Sequence, residues 1–481
     1  MGHLTSAPLQ TYGYFAYGSF HSSGNDVVIN SVWDHTPVAI VEQASEDAAL
    51  TAVRDAALAF VETRKLSSFK RADILRKIAR SIANRKEDFA RTICREAGKP
   101  IRTARLEVER GIYTFEVAAE EATRIYGEYI PLDTLASTEG RWGLMRRFPL
   151  GPVFAITPFN FPLNLVAHKI APAIAAGCPI ILKPAPQTPV TALMLAGIVH
   201  EAGWPEGALA VMPMSNETAG LLVADDRIKL LTFTGSAAVG WQLKNKAGKK
   251  RVTLELGGNA GVIVHSDAEI AYAAHRCVVG GFAYGGQTCI SVQRILVHRP
   301  AFDDFTHRLV QGVKELKTGD PMDEATDVPP LIREQDAIRA IEWIEEAHQA
   351  GAKILCGGKR DGSIVEPTVL TGTAPEMRVN CAEIFAPVVT VEPYETFHEA
   401  VRQVNESAFG LQAGIFTRDA IQIHQAFNDL EVGSVIVGDV PTFRVDQMPY
   451  GGVKDSGLGR EGLRFSIEDM TEPKLMVMAL K

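Results

Sequence analysis

The sequence predicts an α/β protein made of two doubly wound parallel-sheet domains with a small β arm. Three observations predict it. Short apolar strands alternate with helical segments over residues 153–256, and a second alternating series covers 262–437. Residues 126–148 fit neither series. Strands that are apolar throughout belong to a sheet covered by helices on both faces.

Residues 45–125 read as helices. Segments 47–65 and 70–97 carry apolar residues at steps of three and four, with charges between them. Segment 126–148 is polar, is broken by proline and glycine, and ends in the basic pair Arg146 and Arg147. It reads as a β arm outside the main core. The first alternating series places strands at 153–156, 180–182, 208–212, 230–233 and 252–256, and helices at 163–176, 190–202 and 237–247. The second places strands at 262–264, 294–297, 388–391 and 434–437, and helices at 268–283, 301–315, 335–350 and 418–428. The tail, 473–481, is rich in Met, Leu and Val and reads as a strand. Such a strand needs a partner, and the edge of another subunit's sheet is the expected one.

Composition excludes several function classes. A chain of 481 residues has room for about three domains. A hydrophobic share of 46% excludes a disordered chain. The net charge is −8 with no basic block, which argues against a nucleic-acid partner. The six cysteines (94, 178, 277, 289, 356 and 381) are widely spaced and form no Cys-x-x-Cys. They fit free thiols in the cytoplasm better than a disulfide framework or a metal site. Residues 1–20 lack a basic stretch followed by an apolar core, so no signal peptide is expected. The longest apolar stretches, such as 171–182, are too short to span a bilayer.

Three local settings carry covalent carbonyl chemistry. Cys289, in Gly285-Gly286-Gln287-Thr288-Cys289, is a soft nucleophile behind glycines that let the backbone approach a ligand. A thiolate adds to an aldehyde, and the resulting oxyanion expels hydride and leaves a thioester. Alone, such a cysteine reads equally as an inert buried thiol. Glu255 ends a strand before Gly257-Gly258. It is a candidate base for water attacking the thioester, with burial raising its pKa, or else a salt-bridge partner. Asn160, in Thr157-Pro158-Phe159-Asn160-Phe161-Pro162, is a candidate oxyanion donor or a turn asparagine. Gly235 and Gly240 frame a strand-to-helix turn through Ser236, which suits a pyrophosphate at a helix N-terminus or is an ordinary turn. The formal Gly-x-Gly-x-x-Gly at 457–462 follows no clear strand and is not read as a dinucleotide fingerprint. Lys183 ends a strand where it can reach a ligand.

These settings, with Glu383-Ile384-Phe385-Ala386-Pro387 and Pro449-Tyr450-Gly451-Gly452-Val453-Lys454-Asp455-Ser456-Gly457, resemble the aldehyde dehydrogenase superfamily over nearly the whole chain. The step of 34 residues from Glu255 to Cys289 suits it too. The resemblance implies Cys289 as nucleophile, Glu255 as general base, and Asn160 with the Cys289 N–H as oxyanion hole. Lys169 and Glu461 resemble a proton relay. It implies NAD or NADP as cofactor, with Lys183 at the adenosine ribose, Ser236 at the pyrophosphate, Glu383 at the nicotinamide ribose and Phe385 beside the ring. Ile156, Thr157, Phe159, Pro186, Gly235, Gly240 and Leu256 complete the expected cofactor contacts. The implied domains are a Rossmann-like cofactor domain (1–125 and 149–253), a catalytic domain (254–443) and an oligomerisation arm (126–148 and 468–481). Residues 444–467 return to the cofactor side. A homodimer or homotetramer is expected.

Departures from the family pattern narrow the substrate. Phe159 stands where Trp is common, as in members acting on lactaldehyde, glyceraldehyde-3-phosphate and related small hydroxylated or anionic aldehydes. Pro186 replaces the Glu that many NAD-specific members carry three residues after the lysine, so charge does not exclude NADP. Residues 213–217 lack the glycines common in the adenine groove. By the same resemblance the helix after Asn160 lines the substrate tunnel. Asn164 and His168, four residues apart, share a helix face and suit an oxygen-bearing substrate, or form a helix–helix contact. Arg444 is either an anion anchor or the ion-pair partner of Asp446 or Asp439. Ile290 limits bulk beside the nucleophile. The alternatives are transfer of the thioester to coenzyme A, which Glu255 argues against, and a non-enzymatic role on the same scaffold.

Overall fold

The structure, a computed structural model, describes residues 9–479. The parts of the expected first domain, terminal arm and leader reading that fall on 1–8 and 480–481 lie outside these residues.

Four helices open the main body. Helix α1 (Glu46–Thr63) is capped by Ser45, whose hydroxyl accepts the Ala48 N–H, and α2 (Ser68–Asn84) by Ser67. The segment 70–97, read as helical, is divided between two helices. Arg85 departs to φ −117°, ψ 24°, and α3 (Lys86–Ala97) starts after it and ends at left-handed Gly98. Helix α4 (Ile101–Glu121) follows Pro100.

The first sheet has eight strands, in the order Gly457–Leu458, Arg251–Glu255, Leu230–Thr234, Val153–Ile156, Ile180–Lys183, Leu209–Val211, Tyr14–Ala16, Ser19–His21. The five from Arg251–Glu255 to Leu209–Val211 are parallel. The chain order reverses between Val153–Ile156 and Leu230–Thr234. The carboxyl ends of those two strands therefore open on a crevice, where ligands bind in this topology. Helices α5 (Asn164–Ala176), α6 (Pro189–Glu201), α7 (Asn216–Ala224) and α8 (Ala237–Lys246) connect or flank these strands. The seven-stranded second sheet runs Lys353–Cys356, Thr368–Thr371, Val388–Tyr394, Val292–His298, Ala260–Val264, Gln412–Phe416, Ser434–Val437. Only its Lys353–Cys356 edge is antiparallel. Helix α9 (Ile270–Phe282) packs on it.

The arm is a three-stranded sheet of Glu128–Pro131, Arg141–Pro149 and Thr471–Ala479. The tail meets its own chain on one edge and leaves its other edge, the one a second subunit would meet, unpaired among the described residues. The tail pairs antiparallel with its own chain, from Thr471 against Pro149 to Ala479 against Arg141. Pairing with Arg141–Pro149 satisfies one side of the tail backbone.

Helix α5 is buried at every residue, as a helix is when covered on all sides. Its N-terminus is closed by Glu107 of α4, which accepts the N–H groups of Leu163 (2.9 Å) and Asn164 (3.1 Å). The other Glu107 oxygen pairs with the ammonium of Lys99, and both side chains are buried. A buried pair that loses one partner leaves an uncompensated charge. Glu107→Ala should therefore lower stability by about 3–5 kcal/mol, read by urea denaturation. The double variant Lys99→Met/Glu107→Gln keeps a carbonyl acceptor for α5 and removes both charges, so it should lose clearly less. An equal loss would refute the role of the unpaired ammonium.

Candidate active site

A cavity of about 600 Å³ opens at the crevice of the first sheet and reaches the loops of the second. Its Cys289 loop follows α9 through a run of left-handed residues, Tyr284 (φ 52°), Gly285 (φ 63°) and Gly286 (φ 72°). Glycine is required at 286 because a Cβ there would lie 2.2 Å from the Ala386 carbonyl oxygen. Tyr284, which has a side chain and is held against its preference, is tied by its hydroxyl to the Ala97 carbonyl at 2.6 Å. The Lys99 ammonium lies 3.6 Å from the Phe161 ring centroid and 4.6 Å from that of Tyr284. One cation thus touches both the Asn160 loop and the Cys289 loop.

Cys289 keeps part of its surface toward the cavity while protein crowds it from behind. Burial pushes its thiol up to about 11, opposed by the Tyr450 hydroxyl and the Arg444 charge. The sulfur lies 3.0 Å from the Tyr450 hydroxyl. Asn160 donates one amide hydrogen to the Gln287 carbonyl at 3.0 Å, which fixes the group and leaves its second hydrogen available. Glu255 ends its strand with both carboxylate oxygens unpartnered. Burial, then the nearby Glu461 charge, raises its carboxyl well above the usual range against Lys169, Arg444 and Arg460.

Behind Glu255, Lys169 donates to Glu461 Oε1 at 2.5 Å, and Arg444 donates to Glu461 Oε2 at 2.9 Å. Burial opposes ionisation of Glu461, yet Lys169, His168 and Arg444 together hold it well below its ordinary value. Asp446 accepts from Arg110 (2.7 Å), His168 (2.8 Å) and Asn164 (3.2 Å) through Oδ1.

The far end of the cavity fits a dinucleotide. Ser236 precedes α8 without a side-chain cap, leaving its hydroxyl and the first N–H groups of that helix available to an anion. Lys183 lies at the end of its strand with no acceptor in hydrogen-bond reach among the described residues. Burial lowers its pKa, opposed by Glu217. Ile156, Thr157, Phe159, Pro186, Gly235 and Leu256 line the same slot. Glu383 accepts the Gly258 N–H at 3.1 Å, and burial pushes its carboxyl up to about 7. Phe385 (φ 51°) meets Phe159 edge to face at 6.0 Å.

Three sequence expectations need correction. Gly240 does not line the cavity. It is buried beneath the Leu256 side chain, which a Cβ would approach to 2.4 Å, so it serves helix–sheet packing. His168 is sealed behind the cavity wall against Asp446, the helix-contact alternative, whereas Asn164 does line the cavity. Arg444 lines the cavity and pairs with Glu461, because Asp446 is taken by Arg110 and Asp439 by Arg276. Lys169 lies outside the wall, pairs with Glu461 and acts on Glu255 through its charge. Ile290 faces the cavity beside Cys289. Sequence reasoning missed Arg110 and Tyr450. Arg110 is one charge among many on α4 and carried no local signal, while Tyr450 stood inside a quoted motif without a role.

The chain is similar to known proteins over nearly its whole length. The aldehyde dehydrogenase family pattern matches residues 21–476. A 3-sulfolactaldehyde dehydrogenase of Priestia megaterium is 42% identical over 98% of this chain and 99% of its own. The structure of aldehyde dehydrogenase 21 from Physcomitrella patens, in complex with its reaction product succinate, is 44% identical, covers 98% of this chain and 99% of its own, and superposes with a TM-score of 0.97. The glyceraldehyde-3-phosphate dehydrogenase GapN from Methanocaldococcus jannaschii, complexed with NADP, is 37% identical over 95% of this chain and 99% of its own, with a TM-score of 0.91.

The Glu255 carboxyl is raised above its unfolded value, so between the two values the folded state holds a proton that the unfolded state has lost. Stability contributed by this group is full below the unfolded pKa and falls as pH rises through the folded one. Glu255→Gln should therefore gain in Tm over the wild type as pH is raised from 5 toward 8. A Tm difference that is the same at both pH values would refute burial as the cause.

Proposed function

Because the chain belongs to the aldehyde dehydrogenase family, we propose that it oxidises a small anionic or hydroxylated aldehyde to the carboxylic acid with NAD or NADP. The single observation that carries the substrate class is the presence of two guanidinium groups, Arg110 and Arg444, in the wall of the cavity that holds Cys289. The three relatives are named for, or hold, molecules bearing a sulfonate, a carboxylate or a phosphate.

The Cys289 thiolate attacks the carbonyl carbon, and the second Asn160 amide hydrogen with the Cys289 N–H receives the oxyanion. A nicotinamide dinucleotide, when bound, accepts the hydride that leaves that carbon. Ser236 and the N-terminus of α8 would hold its pyrophosphate, and Lys183, Glu383 and Phe385 would hold its riboses and ring. Glu255 then takes a proton from water as its oxygen attacks the thioester, and the Cys289 sulfur leaves with the acid released. The raised Glu255 carboxyl suits a base working near neutral pH, whereas Glu461, held ionised by Lys169 and Arg444, serves only to place charge behind it. Pro186 presents no carboxylate at the ribose end of the slot, while Glu217 acts on Lys183 there, so position 186 does not by itself choose between NAD and NADP. Transfer of the acyl group to coenzyme A finds no support.

The unpaired outer edge of Thr471–Ala479, with Leu475, Met476 and Val477 exposed, supports a dimer or tetramer. Among the described residues no helix is long and apolar enough to cross a membrane. The cysteines are all unpaired, which supports a cytoplasmic site of action.

Initial rates of NADH and NADPH formation with sulfolactaldehyde, succinate semialdehyde, glyceraldehyde-3-phosphate, lactaldehyde and benzaldehyde test the substrate class. At least one anionic aldehyde should exceed benzaldehyde by tenfold or more in kcat/KM, which is about 1.4 kcal/mol. Arg110→Gln should raise KM for that aldehyde about tenfold and leave a neutral aldehyde of equal size unchanged. Equal effects on both would make Arg110 a structural residue.

Glu255→Gln tests the base. It should keep a rapid first turnover of reduced cofactor and slow the steady state by about 100-fold or more, since general-base catalysis contributes on that order. Loss of the first turnover itself would remove Glu255 from the deacylation step.

A further inference from the structure

The Tyr450 hydroxyl has one hydrogen-bond partner among the described residues, the Cys289 sulfur at 3.0 Å. Tyr450 is buried, and its ring is held on three sides. The Arg444 guanidinium carbon lies 3.8 Å from the ring centroid, and Ile290 and Leu411 pack with it. Its backbone is clamped by reciprocal hydrogen bonds with Glu461, Tyr450 N–H to Glu461 carbonyl at 3.0 Å and Glu461 N–H to Tyr450 carbonyl at 2.6 Å. The hydroxyl therefore stands at a fixed place beside the sulfur and has nowhere else to donate.

The direction of the bond follows from the surroundings. Burial, with Cys289 and Glu255 nearby, raises the phenol well above its ordinary value, against the pull of Arg444. The phenol keeps its proton, so once the thiol ionises the phenol donates and the sulfur accepts; before that either group can donate. Four ionisable groups face that sulfur. Tyr450 and Arg444 favour its charged form, whereas Glu383 and Glu255 disfavour it, as does burial. Of the four, Tyr450 is the one in hydrogen-bond contact with it.

We propose that Tyr450 is a catalytic residue that stabilises the Cys289 thiolate by donating its phenol hydrogen to the sulfur. This rests on the reading of Cys289 as the nucleophile. The proton lost by the thiol goes to Glu255 or to water, never to Tyr450, which is protonated throughout. When a sulfur lone pair becomes the new C–S bond, the acceptor weakens and the phenol is released. The hydrogen bond thus raises the share of thiolate in the resting enzyme without taking part in hydride loss.

Alkylation of Cys289 by iodoacetamide tests this without aldehyde or cofactor. Sulfur attacks the methylene carbon, the C–S bond forms and iodide leaves. The rate is followed by mass spectrometry of the Cys289 peptide in the full-length protein, because exposed Cys381 also reacts. Tyr450→Phe keeps the ring and the Arg444 contact and removes one oxygen whose partner is the thiol itself. Its alkylation midpoint should rise by about one pH unit, giving roughly tenfold slower alkylation at pH 8. Aldehyde kcat/KM should fall by a similar factor at pH 7 and recover as pH rises, whereas a packing defect would lower it equally at every pH. An unmoved or lowered midpoint overturns the role of Tyr450. With that result, loss of turnover in Cys289→Ala leaves the nucleophile reading standing. Turnover that survives in Cys289→Ala overturns that reading, and this proposal with it.

Discussion

Helix α5 is buried along its whole length, so each polar side chain on it must find its partner inside the protein. That constraint organises everything around the cavity. Asn164 and His168 call for Asp446, and Lys169 calls for Glu461. Both acids belong to the segment that returns to the first sheet late in the chain. Docking them on α5 sets Tyr450, which lies between them in sequence, beside Cys289. The N-terminus of α5 draws in Glu107 and, through it, the Lys99 ammonium that touches Phe161 and Tyr284. A helix that carries no reacting group therefore fixes the relative places of the groups that would react.

The acids near the cavity divide into two kinds. Asp446 and Glu461 are saturated with donors and stay ionised, so they act as fixed negative struts. Glu255 and Glu383 are buried with few or no donors, and their carboxyls are raised. A saturated acid cannot take a proton near neutral pH, and an unsatisfied one can. The same burial that would suit Glu255 to act as a base is a cost to stability at neutral pH. Strain and unsatisfied groups are what working sites retain. Tyr284 and Phe385, both left-handed without being glycine, line this cavity too.

The two ends of the cavity are built by different means. The cofactor end is made by strand termini and a helix N-terminus, which follow from topology. The substrate end is made by side chains from α4, α5 and the segment around Arg444, which are far apart in sequence. Arg110 illustrates this, since its partner Asp446 lies 336 residues away.

The sequence by itself determined the alternating architecture, because apolar strand and helix periods are local properties. It also determined which residues were candidates at the nucleophile, base and oxyanion positions, because Cys289, Glu255 and Asn160 each sit in a distinctive stretch of chain. Less was legible where pairing decides. The strands Lys353–Cys356, Thr368–Thr371 and Gln412–Phe416 and the helix Phe397–Asn405 were not read, being short pieces that gain definition from neighbours in the second sheet. The tail found its partner in its own chain because a strand carries no mark of which edge it will meet. Only the tertiary structure decided that His168 is a strut and Gly240 a packing contact, that Arg444 belongs to Glu461, and that Arg110 and Tyr450 face the cavity. Each of these depends on a contact between residues distant in sequence, and burial and charge pairing take effect only when the folded chain brings such residues together.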